Sequence, residues 1–199
     1  VRWVMERGQC IYGPSGDPSF LEGIIHDVTG QKDTEERLRW SAHHDSMTLL
    51  PNRTLFQERL DEALKQRGGK GRKVGLMLLD VDHLKEVNDT LGHPEGDRVI
   101  QEFADVLLRV FPRDALVGRM GGDEFAVFST CPLSVEEAQC KACELIEAWG
   151  SHSASRAVEL GCSVGIVRVV RGETFFDLYR AADCALYASK DNGKGCYSW

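Results

Sequence analysis

Hydrophobic residues follow two different patterns from residue 45 to the end of the chain. Between 95 and 110 they recur every three or four positions, which is the spacing of one buried helix face. The run Val74–Val81 is almost wholly apolar, as expected of a strand that is covered on both faces. These patterns predict helices near 52–67, 83–91, 95–110, 134–149 and 174–191, and strands near 74–82, 115–120, 123–130 and 159–170. The expected fold class is α/β (α+β), with a mixed central β-sheet flanked by helices.

The first 44 residues follow another pattern. Residues 1–28 hold two apolar runs on either side of the turn-forming segment Gly13–Pro18, which indicates a β-hairpin with a long loop. Two strands cannot fold alone, so this hairpin is typical of a fragment of a larger domain. Residues 31–44 are mostly polar and charged, and they predict an exposed linker helix.

Composition and net charge argue against some classes of binding partner. A formal net charge of -7 argues against nucleic acid or an anionic membrane as the main partner, because both attract clustered Lys and Arg. Seven scattered cysteines, an odd number, indicate reduced thiols and a cytoplasmic location. No apolar run is long enough to span a membrane, so we expect no direct membrane contact. The chain begins without Met, and we expect a piece of a longer protein that could itself be membrane-anchored.

Two carboxylates end the buried strand. Asp80 and Asp82 are two residues apart and therefore lie on one face of it. An unpaired buried carboxylate costs several kcal/mol or becomes neutral, so a cation such as Mg²⁺ would explain the pair. The alternative is an exposed strand end with two solvated acids.

Gly121 and Gly122 sit between two apolar runs and predict a β-hairpin with a tight turn, because glycine accepts positive φ. Asp123 and Glu124 directly follow these two glycines. If the hairpin pairs with strand 74–82, Asp123 lies beside Asp80, and two close carboxylates repel unless a divalent ion sits between them. An ordinary hairpin turn is the alternative.

The chain resembles the GGDEF family over roughly residues 43–197, because Gly121–Phe125 spells the family's signature. Similar motifs stand in the family's order at Asp45–Arg53 (DSMTLLPNR), Asp80–Asp89 (DVDHLKEVND), Gly92–Asp97 (GHPEGD), Ser163–Ile166 (SVGI) and Ala182–Lys190 (ADCALYASK). The fold implied is similar to the nucleotidyl cyclase, ferredoxin-like palm, with the Gly-Gly hairpin at the active site. Residues 23–32 resemble the closing strands of a PAS sensor domain. The resemblance therefore implies a PAS/PAC-like fragment at 1–30, a signalling linker helix at 31–44 and a GGDEF diguanylate cyclase domain at 45–199.

The family resemblance implies an enzyme that makes cyclic di-GMP and two pyrophosphates from two GTP molecules. It implies two Mg²⁺ ions per site, with Mn²⁺ as an alternative, held by Asp80, the main-chain carbonyl of Val81 and Asp123. It also implies that Asp123 and Glu124 are catalytic. One chain then supplies half of a catalytic centre, and a homodimer is needed. The rival hypothesis is a regulatory module that binds GTP or cyclic di-GMP without turnover.

The same resemblance implies the substrate contacts. Asn88 and Asp97 would read the guanine edge, although the first could equally cap a helix and the second could favour a helix dipole. Lys190 could be a lysine near a helix end instead of a phosphate ligand. The residues expected to approach the phosphates are His83 and Leu84, through backbone N–H groups, and the side chains of Lys85, Lys190 and Lys194.

Two residues depart from the family pattern without removing a metal ligand. Leu49 stands where the family usually has Gly, and Lys194 stands where Arg is usual. Lys is a point charge without the bidentate fork of Arg, so we expect weaker phosphate binding at that position.

A third departure yields a prediction about feedback. Many family members bind inhibitory product through an R-x-x-D motif that ends five residues before the signature. In this chain the Arg and Asp positions of that motif are occupied by Pro112 and Ala115, and the nearby Arg113 and Asp114 are out of register. We expect weak or absent product inhibition through this position. Calorimetry with cyclic di-GMP checks this, and tight binding that vanishes on Arg113→Ala would refute it.

Overall fold

The computed structural model describes residues 1–12, 14–66, 73–111, 115–154, 156–170 and 172–199. The described chain forms two compact units, Val1–Ala42 and His43–Trp199. Residues 112–114, which carry the inhibition prediction, lie outside the described residues, as do Gly13 of the predicted hairpin loop and residue 67, the predicted end of a helix.

The first unit contains a hairpin and a helix. Strands β1 (Val4–Tyr12) and β2 (Pro18–Asp27) pair antiparallel, and helix α1 spans Thr29–His43. The N–H of Thr29 donates to the Asp27 carboxylate at 2.9 Å, which satisfies a backbone donor where the helix begins. The predicted hairpin and helix are both present, whereas the assignment of residues 1–30 to a PAS-like domain stays a prediction.

The second unit is built on a five-stranded sheet. Its strands are β3 (Lys73–Asp82), β4 (Ala115–Gly121), β5 (Glu124–Leu133), β6 (Gly161–Val169) and β7 (Tyr197–Ser198), in the order β4-β5-β3-β6-β7. Neighbouring strands are antiparallel except β6 and β7, which are parallel. The predicted mixed sheet is therefore confirmed, and β3 is its central strand.

Helices cover both faces of this sheet. They are α2 (Arg53–Gln66), α3 (Leu84–Leu91), α4 (His93–Val110), α5 (Val135–Ser153) and α6 (Phe175–Asp191). Met77, Leu79 and Val81 pack in one core with residues of α4 and α5, and Leu76 and Leu78 pack in the other with residues of α2 and α6. Since side chains alternate along a strand, Asp80 and Asp82 continue the row that faces α2 and α6.

The predicted elements agree with the observed ones to within a few residues. Helix α5 begins as expected because Ser134 and Glu137 form a reciprocal capping box. It runs past the predicted end at 149 to Ser153, whose hydroxyl donates to the Trp149 carbonyl at 2.9 Å. Strand β7 was not predicted, since a two-residue strand carries no periodicity. None of the described helices is long and apolar enough to cross a membrane.

Leu49 adopts a left-handed backbone, with φ of 59°. It sits in a loop in which the Leu49 N–H donates to the Asp45 carbonyl and the Asp45 N–H donates to the Leu50 carbonyl, each at 2.9 Å. A side chain in this conformation crowds the following carbonyl, and glycine avoids the penalty. The family's glycine at this position is therefore explained by backbone geometry.

Replacing Leu49 by glycine should stabilise the protein. The left-handed penalty of roughly 1–2 kcal/mol disappears, while the greater flexibility of unfolded glycine offsets about 0.5–1 kcal/mol of the gain. The Leu49 side chain is 64% exposed, so little packing is lost. Urea unfolding should show a net gain of about 0.5–1 kcal/mol.

The matched control is Leu108→Gly, because Leu108 is also about half exposed but lies inside helix α4. That variant should lose about 1 kcal/mol of stability, since glycine is a poor helix former. An equal loss for Leu49→Gly would contradict the explanation.

Candidate active site

Asp82 is a structural acid. It is 2% exposed and accepts hydrogen bonds from the Ser163 hydroxyl at 2.9 and 3.0 Å and from the Gly195 N–H at 3.0 Å. A buried carboxylate needs such donors to remain ionised. The protein itself therefore satisfies Asp82, and the cation suggested by the pair of acids is needed only at Asp80.

Asp80 is also buried, but its partner is a charge. The Lys190 ammonium lies 2.7 Å from Asp80 Oδ2. Burial raises the pKa of Asp80 to about 6; Lys190 opposes that rise, and the negative charges of Asp123 and Asp82 add to it. The pKa of Lys190 is raised as well, because its hydrogen bond and attraction to Asp80 outweigh its own burial, which acts in the opposite direction. Lys190 thus compensates only part of the negative charge collected here.

The Gly-Gly turn places Asp123 beside this acid. Gly121 pairs with Glu124 across a two-residue turn, in which Gly122 has φ of 54°. Strand β5 then pairs with β3 so that Glu124 is opposite Asp80, and the Val81 N–H donates to the Asp123 carbonyl at 3.2 Å. The structure thereby brings together Asp80, Val81, Asp123 and Glu124, as the strand-pairing argument from the sequence predicted.

Arg119 fastens the turn to the loop that precedes α2. Its guanidinium donates to the Gly122 carbonyl at 2.8 and 3.1 Å and to both Asp45 carboxylate oxygens at 3.0 and 3.1 Å. Burial raises the pKa of Asp45, but the hydrogen bonds from Thr48 and this ion pair with Arg119 outweigh that effect and hold the pKa below its usual range. Arg119 was not among the residues predicted for the site, although an Arg inside an apolar strand is a signal that could have identified it.

Glu124 contacts Tyr179, a second residue that was not predicted for the site. The Tyr179 hydroxyl of α6 donates to Glu124 Oε2 at 3.3 Å. The two residues are 55 positions apart, so no local pattern joins them.

The start of α3 is open to an anion. His83 precedes the helix with a left-handed φ of 66°, and its side chain makes no capping bond to the helix N–H groups. His83 Nδ1 lies 2.5 Å from Glu86 Oε1. This hydrogen bond lowers the pKa of Glu86, burial opposes it, and the positive charges of His83 and Lys194 lower the pKa further. Lys85 is exposed on α3.

Asn88 and Asp97 lie across the α3 to α4 junction. A Cβ added at Gly96 would lie only 1.9 Å from Asn88 Oδ1, so the amide packs directly on the Gly96 backbone. Asp97 is the next residue and is exposed in the first turns of α4. Asn88 therefore packs on the residue that directly precedes Asp97 in α4.

Oxygen donors at this strand end suit Mg²⁺. The predicted ligands are two carboxylates and one main-chain carbonyl, all hard donors. Burial, with the negative charges of Asp123 and Asp82 added to it, raises the pKa of Asp80 despite the nearby Lys190. Among the described residues, no three His, Cys, Asp or Glu side chains form a metal-binding group. A bound ion would therefore complete its coordination with the Val81 carbonyl, substrate oxygens or water, which is usual for Mg²⁺.

Comparison with known proteins identifies the family. The family described as "Diguanylate cyclase, GGDEF domain" matches residues 42–196. The chain therefore belongs to the GGDEF family, as its motifs predicted.

The relatives of this chain are named for different activities. The chain is 33% identical over 172 residues to the diguanylate cyclase DgcM of Escherichia coli K12, covering 86% of this chain and 42% of DgcM. It is also 33% identical over 206 residues to the cyclic di-GMP phosphodiesterase PdeR of the same organism, covering 98% of this chain and 30% of PdeR. The chain thus spans less than half of the length of these two relatives.

A solved structure agrees with the fold. The coiled coil and GGDEF domain of DgcB from Caulobacter crescentus, in complex with c-di-GMP, is similar with a TM-score of 0.78 and 30% identity. The match covers 86% of this chain and 92% of the DgcB chain. The predicted fold is confirmed, whereas the roles of single residues stay predictions.

Proposed function

We propose that this chain is a diguanylate cyclase that condenses two GTP molecules into cyclic di-GMP and two pyrophosphates. The observation that carries the proposal is the pairing of β3 with β5, which sets the buried Asp80 opposite Glu124 and next to Asp123. An acid whose pKa is raised to about 6 by burial and neighbouring acids is suited to a divalent cation. Membership of the GGDEF family supports the same activity.

In this proposal Asp80, the Val81 carbonyl and Asp123 hold two Mg²⁺ ions, and Mn²⁺ can replace them. When bound, the ions neutralise phosphate charge, polarise the α-phosphorus and lower the pKa of the attacking 3′-hydroxyl. The 3′-oxygen to α-phosphorus bond forms while the bond to the pyrophosphate breaks, in line. Asp123 and Glu124 are the carboxylates at the turn that orient this reaction.

The remaining residues hold the nucleotide. Asn88 offers an amide donor and acceptor, and Asp97 accepts from the ring N–H and the exocyclic amine of guanine, an arrangement that adenine cannot match. Positive charge and N–H groups for the phosphates come from His83, Leu84, Lys85, Lys190 and Lys194. Support comes from the contact of Asn88 with Gly96, from the closeness of Lys190 to Asp80 and from the positive charge of Lys194, which lowers the pKa of Glu86.

Two chains complete the reaction. Each chain binds one GTP, and cyclisation needs two phosphodiester bonds between two nucleotides, so two half-sites must face each other in a homodimer. Activity should therefore rise more steeply than linearly with protein concentration.

A second candidate is a module that binds GTP or cyclic di-GMP without turnover. Lys194 favours it, because a point charge replaces the bidentate guanidinium usual in the family at a phosphate position. The similarity to a chain named a phosphodiesterase is compatible with it.

Incubation with GTP and Mg²⁺, followed by separation of the nucleotides, distinguishes the two candidates. We expect cyclic di-GMP from the wild type and none from Asp123→Ala, because one of the two carboxylate ligands of the metal ions is lost. Asp105→Ala, an exposed acid on α4, is the matched control and should retain activity. Bound but unchanged GTP in the wild type would favour the second candidate instead.

The proposed contact of Asn88 with guanine leads to a second prediction, about GTP affinity. Gly96→Ala must push the Asn88 amide away, since the new Cβ would lie 1.9 Å from Oδ1. We expect the Kd for GTP to rise about tenfold, as for loss of one or two hydrogen bonds. Gly150→Ala is the control, because Gly150 lies in α5 with nothing within 4 Å of its added Cβ. Unchanged GTP affinity of Gly96→Ala would remove Asn88 from the guanine site.

A further inference from the structure

The contact between Tyr179 and Glu124 joins helix α6 to the strand that leaves the Gly-Gly turn. The hydroxyl donates to Glu124 Oε2 at 3.3 Å. Glu124 is opposite Asp80 across β3 and β5. A neutral donor that binds one oxygen can hold this carboxylate in place without cancelling its charge.

The Tyr179 ring is itself fixed on two sides. The Arg53 guanidinium lies 4.8 Å from the ring centroid, and the Phe175 ring lies 5.4 Å away, centroid to centroid. Cation–π and aromatic contacts of this kind favour one orientation of the ring. The direction of the hydroxyl is therefore set by residues other than Glu124.

The surroundings of Tyr179 keep its hydroxyl protonated, as a hydrogen-bond donor must be. Burial raises its pKa, the negative charge of Glu124 raises it further, and Arg53 opposes the rise. The hydroxyl therefore keeps its proton at neutral pH, where the Glu124 carboxylate accepts from it.

We propose that Tyr179 is a positioning residue that fixes the Glu124 carboxylate for the reaction at the Gly-Gly turn. Its hydroxyl engages Oε2 and thereby sets the direction of the second oxygen, Oε1. Arg53, the first residue of α2, lies over the Tyr179 ring, and Arg119 joins the turn to Asp45 in the loop before α2. This inference rests on the proposed function.

The sharpest variant is Tyr179→Phe, which removes the hydroxyl and keeps the ring against Arg53 and Phe175. We expect kcat to fall about tenfold, the size expected for a lost hydrogen bond to a charged group. The KM for GTP should stay within about twofold, because Tyr179 does not touch the nucleotide in this proposal. Tyr187→Phe is the matched control, since Tyr187 lies on the same helix and is 67% exposed.

Unchanged kcat in Tyr179→Phe would overturn the proposal, and so would a KM that rises as much as kcat falls. A loss of fold alone would lower the active fraction and is checked by the unfolding midpoint of the same preparation.

A double-mutant cycle tests the contact without turnover. Unfolding equilibrium constants are measured in urea for wild type, Tyr179→Phe, Glu124→Ala and the double variant. A coupling of about threefold or more between the two changes supports the contact, and strict additivity overturns it. If the wild type forms no cyclic di-GMP, the proposed function fails, and the positioning contact is then judged by this cycle alone.

Discussion

The register between β3 and β5 is the constraint on which the rest of the site depends. It sets Asp80 opposite Glu124 and brings the Asp123 carbonyl to the Val81 N–H. Because side chains alternate along a strand, a slip of one residue would turn Asp80 away from the face that carries Glu124 and Lys190. The two-residue turn with Gly122 at positive φ and the fork of Arg119 on the Gly122 carbonyl both hold this register.

Asp80 and Asp82 show how position on one strand leads to different chemistry. Both face the side of the sheet covered by α6, yet Asp82 is satisfied by neutral donors while Asp80 faces an ammonium. Neutral donors hold a carboxylate without changing the net charge around it, whereas a lysine adds a positive charge. Asp80 is therefore the one of these two acids whose partner is a cation.

Much of the fold could be predicted because its strongest elements carry simple patterns. The buried run at 74–81 and the helical stripe of α4 identify the core, and Gly121 and Gly122 identify the turn. The contacts that position the acids could not be predicted, since Arg119 and Asp45 are 74 residues apart and Tyr179 and Glu124 are 55 residues apart. Neither pair has a local periodicity, and only the packed sheet brings its members together. The strain at Leu49 was likewise invisible, because φ follows from the closed loop and not from composition.

The hydrogen bonds of Asp82 also bear on how the protein is made. Its partners Ser163 and Gly195 follow it by 81 and 113 residues, so a chain growing from the ribosome exposes this acid long before they exist. Closing loops of that length is entropically unfavourable and slow compared with forming local helices. The central strand must therefore wait for distant partners during synthesis, and the acidic end of β3 is among the last parts of the domain to acquire its native surroundings.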